Sequence, residues 1–286
     1  MQQVNDPAEL KARYYVCPQV YGIEFMQATF LKHSFARHSH DYFALGVIEK
    51  GVQTFSCGPN HYETPAGGIF VINPGEPHTG ETITPGGFSY SVFYPSAQLF
   101  EKVASEITGR QQTTPFFANP RLDDPLLSKS LSKLARTLIE AKSALEGEHC
   151  LLETFGLLVR RHAANRYAVQ QVRRERAAVR QVREYLESNY SENISLTALG
   201  EQVALSPFYL ARVFRADTGM PPHIYLENVR VQRAQQLIAQ GLPLAQVAQE
   251  TGFSHQSHLT NCFKRFIGIS PGQFAQRRKL LQDFSA

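Results

Sequence analysis

Two hydrophobic periods divide the chain. Across residues 14–96 the strand-forming residues come in short runs, among them Gly46-Val47-Ile48, Gln53-Thr54-Phe55 and Ile69-Phe70-Val71-Ile72. Turn signals separate them: Glu49-Lys50-Gly51, Cys57-Gly58-Pro59-Asn60, Pro65-Ala66-Gly67-Gly68, Asn73-Pro74-Gly75 and Pro85-Gly86-Gly87. Short runs punctuated this closely by Gly and Pro predict an all-β barrel or sandwich. Past Leu122 the spacing changes to three and four. Leu127, Leu131, Leu134, Leu138 and Ala141 form one stripe; Leu151, Leu152, Phe155, Leu158, Val159 and His162 form a second. Two amphipathic helices joined near Glu146-Gly147-Glu148 are expected. Such a hairpin can cover one face of the barrel or pair with its copy in a second chain, and a stripe of this width fits either. Residues 165–176 are polar and basic and read as a linker.

The last third repeats itself. Leu196, Leu199, Gly200 and Ser206 recur as Leu244, Val247, Ala248 and Ser254; Leu210, Phe214, Gly219 and Pro222 recur as Leu259, Phe263, Gly268 and Pro271. The separation grows by one residue between the two sets, so one residue is inserted in the second turn. Two copies are too few for a solenoid, and duplication of one supersecondary unit accounts for them. Each copy reads as helix–turn–helix. A short helix carries a tiny residue, Gly200 or Ala248, where a second helix crosses closely. The second helix opens behind an N-cap serine, Ser206 or Ser254, buries Leu210 and Phe214 or Leu259 and Phe263, and ends at Gly219 or Gly268. Its outer face carries Phe208, Tyr209, Arg212 and Arg215 in the first copy. In the second it carries Gln256, Ser257, Thr260, Asn261 and Lys264, side chains able to bond base edges or phosphates. A helix from Ile224 to Gln240 lies between, with Val229, Arg230, Arg233, Ala234, Leu237 and Ile238 spaced for one buried stripe and one basic edge. If the two outer helices enter successive major grooves on one face of DNA, they stand roughly 34 Å apart.

Charge sharpens this reading. The net charge is +4 over 286 residues, but residues 1–165 carry −2 and residues 166–286 carry +6. A basic C-terminal third suits a polyanionic partner such as double-stranded DNA. With 43 % hydrophobic and 19 % charged residues, wholesale disorder is excluded. No apolar run reaches the roughly 18–20 residues needed to span a bilayer, and the polar start of the chain does not read as a secretory signal. The four cysteines lie far apart with no C-x-x-C pair, as expected for reduced thiols in a cytoplasmic protein.

The C-terminal pattern resembles the AraC/XylS family of bacterial transcription regulators over about residues 178–278. The resemblance rests on Ser206-Pro207, Leu210, Arg212-x-Phe214, Gly219, Arg230-x-x-x-Ala234-x-x-Leu237, Ala248-x-x-x-Gly252-Phe253-Ser254, Ser257 and Phe263-Lys264-Arg265-Phe266-x-Gly268-x-x-Pro271. It implies that Ser206, Phe208, Tyr209, Ala211, Arg212 and Arg215 serve the first recognition helix. Ser254, Gln256, Ser257, His258, Thr260, Asn261, Lys264 and Arg265 would serve the second. Phe208 and Ala211 could meet DNA only through apolar contact with thymine methyls. Two departures stand out: Gly200 where the family usually has Ala, and Asn261 where it often has Arg. The glycine alone should cost the helix about 1 kcal/mol. The front half resembles the cupin-type sensor domain of the same family over about residues 20–96. The residues are His38-Ser-His40 with Tyr42, Glu49 and Gly51, and Pro65-Ala-Gly-Gly68 through Pro74-Gly-Glu-Pro-His78.

The fold expected is an α+β multidomain chain. It has a cupin-like effector domain over 1–122, a dimerising hairpin over 123–164, a linker over 165–176 and a double helix–turn–helix domain over 177–286. The resemblance implies a homodimer and contact with RNA polymerase. His38, His40 and His78 admit three readings: imidazoles bonded to turns, the polar lining of an effector pocket, or a metal triad. Glu49 lies nine residues past His40, too far for the carboxylate that catalytic cupins place soon after H-x-H. No catalytic residue, cofactor or metal is therefore assigned. His38, His40, Tyr42, Glu49, His78 and Tyr90 are the expected effector contacts, with Phe93 and Tyr94 as further aromatic walls. The alternative is a metal-binding cupin enzyme or metal sensor fused to a DNA-binding module.

Overall fold

The computed structural model describes residues 9–31, 34–82, 87–140, 143–165, 167 and 175–276. Most of the linker expected over 165–176 lies outside these residues. The chain divides into two compact units. One comprises Met1–Ala141 with Cys150–Gln171, the other Lys142–His149 with Val172–Ala286.

The first unit is built on two antiparallel sheets. Its strands are β1 (Glu9–Cys17), β2 (Ile23–Phe30), β3 (Ser34–His38), β4 (Ala44–Lys50), β5 (Val52–Cys57), β6 (Asn60–Pro65), β7 (Ile69–Ile72), β8 (His78–Thr82), β9 (Phe88–Phe93) and β10 (Arg121–Leu122). One sheet runs β1-β2-β9-β4-β7-β10 and the other β3-β8-β5-β6. The alternating character of the strands decides what lies between them. Ala28, Phe30, Ala44, Ile48, Phe55, Phe70, Ile72, Phe88, Tyr90 and Val92 share one apolar cluster.

The opposite face of the larger sheet is covered by helices. These are α1 (Ala97–Thr108), which the sequence reading missed, α2 (Pro125–Glu140) and α3 (Ala144–His162). Phe93 meets Phe155 edge-on, and Phe100 lies 5.1 Å from Phe155 and 4.7 Å from Phe43, ring centre to ring centre. Leu127, Leu131, Leu134, Leu151, Phe155, Leu158 and Val159 are buried, and α2 packs on β4 and β9. Within the chain the hairpin stripes cover one face of the barrel. The helices also join earlier than expected. Ser143 Oγ accepts from the Glu146 amide at 3.1 Å, so Glu146, Gly147 and Glu148 sit inside α3. Asp124 ties the far ends together. Its Oδ1 accepts from the amides of Leu126 and Leu127, and its Oδ2 lies 2.8 Å from both Arg161 and His162. Burial would raise this carboxyl, but His162, the Leu127 amide and Arg161 outweigh it and hold the pKa below the usual range.

The second unit is helical: α4 (Arg176–Ser188), α5 (Leu196–Gln202), α6 (Pro207–Thr218), α7 (Pro222–Ala239), α8 (Leu244–Glu250) and α9 (Gln256–Ile267). Ser195 Oγ caps α5 through the Ala198 amide. The Glu148 carboxylate accepts from the next two donors, the amides of Leu196 at 2.5 Å and Thr197 at 3.1 Å. Arg230, expected on a basic edge of α7, is buried instead. It donates to the carbonyls of Tyr190 at 2.6 Å and Glu192 at 2.8 Å, so its charge holds a turn together.

Candidate functional site

The sequence repeat is also a repeat of hydrogen bonds. The Leu205 amide reaches back to Gly200 O at 3.0 Å, and the Phe253 amide reaches back to Ala248 O at 2.9 Å. Each turn thus leads from a short helix, α5 or α8, into a longer one, α6 or α9. Each longer helix ends at a glycine in the left-handed region, Gly219 or Gly268. This is the helix–turn–helix unit, present twice.

The starts of α6 and α9 differ. Ser206 Oγ caps α6 through the Tyr209 amide at 3.3 Å. Ser254 does not cap α9. The inserted residue, His255, takes that place, and its Nδ1 accepts from the His258 amide at 3.1 Å. The outer faces differ further. On α9, Gln256, Ser257, Asn261, Lys264 and Arg265 are exposed, with Thr260 half-buried beside them. His258, expected with them, is buried: its ring packs on Phe253, and its Nε2 lies 3.6 Å from Glu227. Arg265 is half-exposed and paired with Glu227. On α6, Phe208 and Tyr209 are buried, which corrects their placement on an outer face, and Ala211, implied by the resemblance to serve this helix, is buried as well. Residues 207–211 form a buried run longer than one helical turn, so α6 is covered on more than its core side. Arg215 stays exposed, and Arg212 is half-buried with its guanidinium 5.8 Å from the Phe208 ring.

Glu227 on α7 anchors α9 from below. Burial pushes its pKa up, but the His258 ring and the Arg265 guanidinium push harder the other way and bring it to about 2. No local pattern announces this anchor, because Glu227 lies 38 residues before Arg265.

A second concave site lies between the two sheets of the first unit. It is a cavity of about 140 Å³. The larger sheet contributes Ala44, Phe70, Ile72, Tyr90 and Val92. The smaller contributes Phe35, His38, Gln53, Phe55 and His78; His40, Tyr42 and Tyr94 complete the mouth. Five of the six expected contacts are brought together here. Glu49 is not among them. It falls where the β4–β9 register shifts, between Ile48 and Lys50, and its carboxylate accepts from Ser91 Oγ at 2.6 Å instead. Phe93, next to the inward Val92 in a regular stretch of β9, faces away toward Phe155. The sequence reading missed Gln53. Its side chain is buried on the cavity wall, and its Oε1 has no hydrogen-bond partner among the described residues.

The three histidines sit in one geometry. Each Nδ1 faces a main-chain carbonyl two residues away: His38 to Ala36 O at 2.8 Å, His40 to Tyr42 O at 2.6 Å, His78 to Glu76 O at 2.9 Å. A carbonyl only accepts, so each Nδ1 carries the hydrogen. Burial lowers the pKa of His40 and His78, against the opposing pull of those carbonyls. The cavity therefore presents neutral imidazoles, aromatic rings and one buried amide, the makeup of a small-molecule site.

A doubled helix–turn–helix unit in one body and a ligand-type cavity in the other define a transcription regulator with a sensor domain. Residues 20–155 match the family of AraC-like ligand binding domains, and residues 199–277 match that of helix-turn-helix domains. The chain is 33 % identical over 229 residues to the uncharacterized HTH-type transcriptional regulator YbfI of Bacillus subtilis (strain 168), covering 80 % of this chain and 82 % of that one. It is 23 % identical over 256 residues to the HTH-type transcriptional activator RhaS of Escherichia coli O81 (strain ED1a), covering 85 % and 88 %. Among solved structures it is similar to the C-terminal domain of AraT, a response regulator from Geobacillus stearothermophilus. That likeness has 25 % identity and a TM-score of 0.34, over 38 % of this chain and 88 % of that one. The chain belongs to the AraC family of transcription regulators.

Proposed function

We propose that α6 and α9 are the DNA-reading helices and that the cavity between the sheets receives the effector. The observation that carries the first point is the exposed polar row Gln256, Ser257, Asn261 and Lys264 on α9, at spacings that keep it on one face. Arg212 and Arg215 supply the cations of α6. The two helices enter successive major grooves, roughly 34 Å apart on the duplex. A gel shift on the upstream region of the protein's own gene tests this. Lys264→Ala should weaken binding about five- to tenfold, whatever the site sequence. It should also lower the steepness of the salt dependence by about one, because a lysine on phosphate releases one counterion. Unchanged affinity with an unchanged salt slope would remove α9 from the interface.

The protein works by binding rather than catalysis, in the cytoplasm; no helix among the described residues is long and apolar enough to cross a membrane. Effector binding favours one arrangement of sensor and DNA-binding domain over another, which is what a ligand must do to act as a switch. RNA polymerase is the further partner that the family suggests. A homodimer through 123–164 would use the outward side of α2, where Leu126, Lys129, Lys133, Arg136 and Ile139 are exposed, since the leucine stripe is already buried. A thermal-shift screen of small metabolites against the full chain tests the cavity. Compounds that raise the melting point of the protein but not of its Gln53→Leu variant locate the effector there.

A further inference from the structure

The cavity between the sheets offers its polar groups unevenly. Each histidine at the mouth spends its Nδ1 hydrogen on a main-chain carbonyl, so the nitrogen left to it is Nε2, a lone pair without a hydrogen. On the wall, Gln53 is 6 % exposed, and its Oε1 has no partner among the described residues. The Gln53 amide lies beside Gly80, where a Cβ would stand 3.6 Å from Nε2. The cavity thus holds acceptors in want of hydrogens, three at the mouth and one on the wall. The tyrosine and threonine hydroxyls beside them serve either way. No Lys, Arg, Asp or Glu is among the described residues that line the cavity. A carboxylate or phosphate entering it would lose water and meet no cation.

Spacing selects among the donors that could enter. A ring nitrogen of each mouth histidine lies within 4.8 Å of the other two. Hydrogen bonds of about 2.9 Å that leave one nitrogen at tetrahedral angles end on acceptors about 4.7 Å apart. One primary ammonium can therefore give a hydrogen to each ring. The rings of Tyr42 and Tyr94 border the same mouth and add aromatic surface suited to a cation. The negative charges of Asp41 and Glu76 reach His40 and His78. Because His38 is exposed, an ammonium held there keeps part of its water. The wall acceptor differs: it is neutral and buried, and it suits an uncharged donor such as a hydroxyl. His78 and Gly80 stand two residues apart on β8, which is about 7 Å of strand and the reach of an amino and a hydroxyl group about four carbons apart. Phe35, Phe55 and Phe70 supply apolar walls for such a chain.

We propose that the effector is a small amino alcohol, its primary ammonium held by His38, His40 and His78 and its hydroxyl donated to Gln53. This rests on the reading of the cavity as the effector site. The test is calorimetric titration of the full chain with three molecules of similar length: terminal aminobutanol, butylamine and γ-hydroxybutyrate. The amino alcohol should bind once per chain. Butylamine, which lacks the hydroxyl, should bind about three- to tenfold more weakly, the range for one hydrogen bond. Hydroxybutyrate should not bind. Gln53→Leu should bring the amino alcohol down to the affinity of butylamine and leave butylamine unchanged, a pattern that a misfolded variant cannot give. His38→Ala should weaken both amines alike. The proposal falls if hydroxybutyrate binds as well as the amino alcohol, or if none of the three binds. It also falls if Gln53→Leu and His38→Ala both leave the amino alcohol's affinity unchanged, which would be surface attraction. In any of these cases, a metabolite of other chemistry that stabilises the wild type and not Gln53→Leu would keep the cavity as the effector site and end the amino-alcohol proposal alone.

Discussion

The helices α6 and α9 descend from one repeated pattern, yet each is held in a different way. In α6 the first turn is aromatic, with Phe208 and Tyr209 buried together with Pro207, Leu210 and Ala211. In α9 the first turn opens on exposed Gln256 and Ser257, and the buried face adds to Leu259 and Phe263 an ionic contact, Glu227 with Arg265 beside His258. Apolar burial is forgiving of angle but needs contact on every side. A paired buried charge is demanding of geometry and leaves the opposite face free. One helix therefore spends its surface on packing, and the other keeps its surface for a partner.

Phe208→Ala gives the largest effect. A fully packed phenylalanine truncated to alanine costs about 3–5 kcal/mol, so the full chain should lose well over 5 °C in melting temperature. Phe208 is 4 % exposed. If the variant instead melts like the parent and fails only in DNA binding, the aromatic belongs to the reading face and the contrast with α9 collapses.

Next comes pH, which should act through α9 and not through α6. The folded pKa of Glu227 is about 2, against 4.5 for a free glutamate. The native state thus binds this proton less readily than the unfolded chain, so the contribution to stability is full above about pH 5. It disappears as pH falls toward 2. A shift of that size corresponds to about 3 kcal/mol. Glu227→Gln should lower stability at neutral pH and flatten the acid limb of urea-unfolding stability between pH 5 and 2. An acid limb of unchanged slope would mean that Glu227 does not anchor α9.

The sequence made one half of this contrast legible and hid the other. Short-range signals carried well. The β runs, the leucine stripes and the repeat all depend on neighbours within a turn or a pleat, and the structure has them. His38, His40 and His78 could be singled out because H-x-H and a later histidine are visible as text. What failed depended on partners distant in sequence or on strand register. Glu227 meets Arg265, and Arg230 meets Tyr190 and Glu192. Glu49 is turned to Ser91 at a register shift between Ile48 and Lys50, which proximity to His40 in the text does not reveal. Phe208 and Tyr209 were placed outside by helical spacing from Leu210 and Phe214, and spacing cannot see a second covering surface. The cap on α9 passed from Ser254 to His255 because one inserted residue shifts the first helical turn.

Gly200 turns a propensity argument around. Glycine in a helix costs about 1 kcal/mol relative to alanine, so Gly200→Ala ought to help α5. A Cβ there would meet Leu205 O at 2.5 Å, a main-chain atom of a residue whose amide is bonded back to Gly200. Gly200→Ala should therefore destabilise the protein by about 1–3 kcal/mol, the range for overpacking. The equivalent Ala248 is 2 % exposed and its turn accommodates the methyl, so Ala248→Gly should also destabilise, by about 1 kcal/mol. Opposite substitutions at equivalent positions, both harmful, would show that the two turns differ in closeness by about a methyl group. A stabilised Gly200→Ala protein would show that they do not.

The smallest effect is expected one turn further along, at Ala204 and Gly252. Both sit in the left-handed region, with φ of 53° and 74°. In the second copy the residue has to be glycine, since a Cβ would meet Ser191 O at 2.6 Å. In the first copy an alanine carries the same backbone conformation and pays for it, because left-handed backbone costs a residue with a Cβ roughly 1 kcal/mol. Ala204→Gly removes that strain but adds freedom to the unfolded chain, and the two partly cancel. A gain of a few tenths to about 1 kcal/mol in urea unfolding is expected, with DNA affinity unchanged. A loss would mean that the Ala204 methyl makes contacts worth more than the strain. The first turn would then be held by side-chain packing, as α6 is, and the second by backbone fit alone.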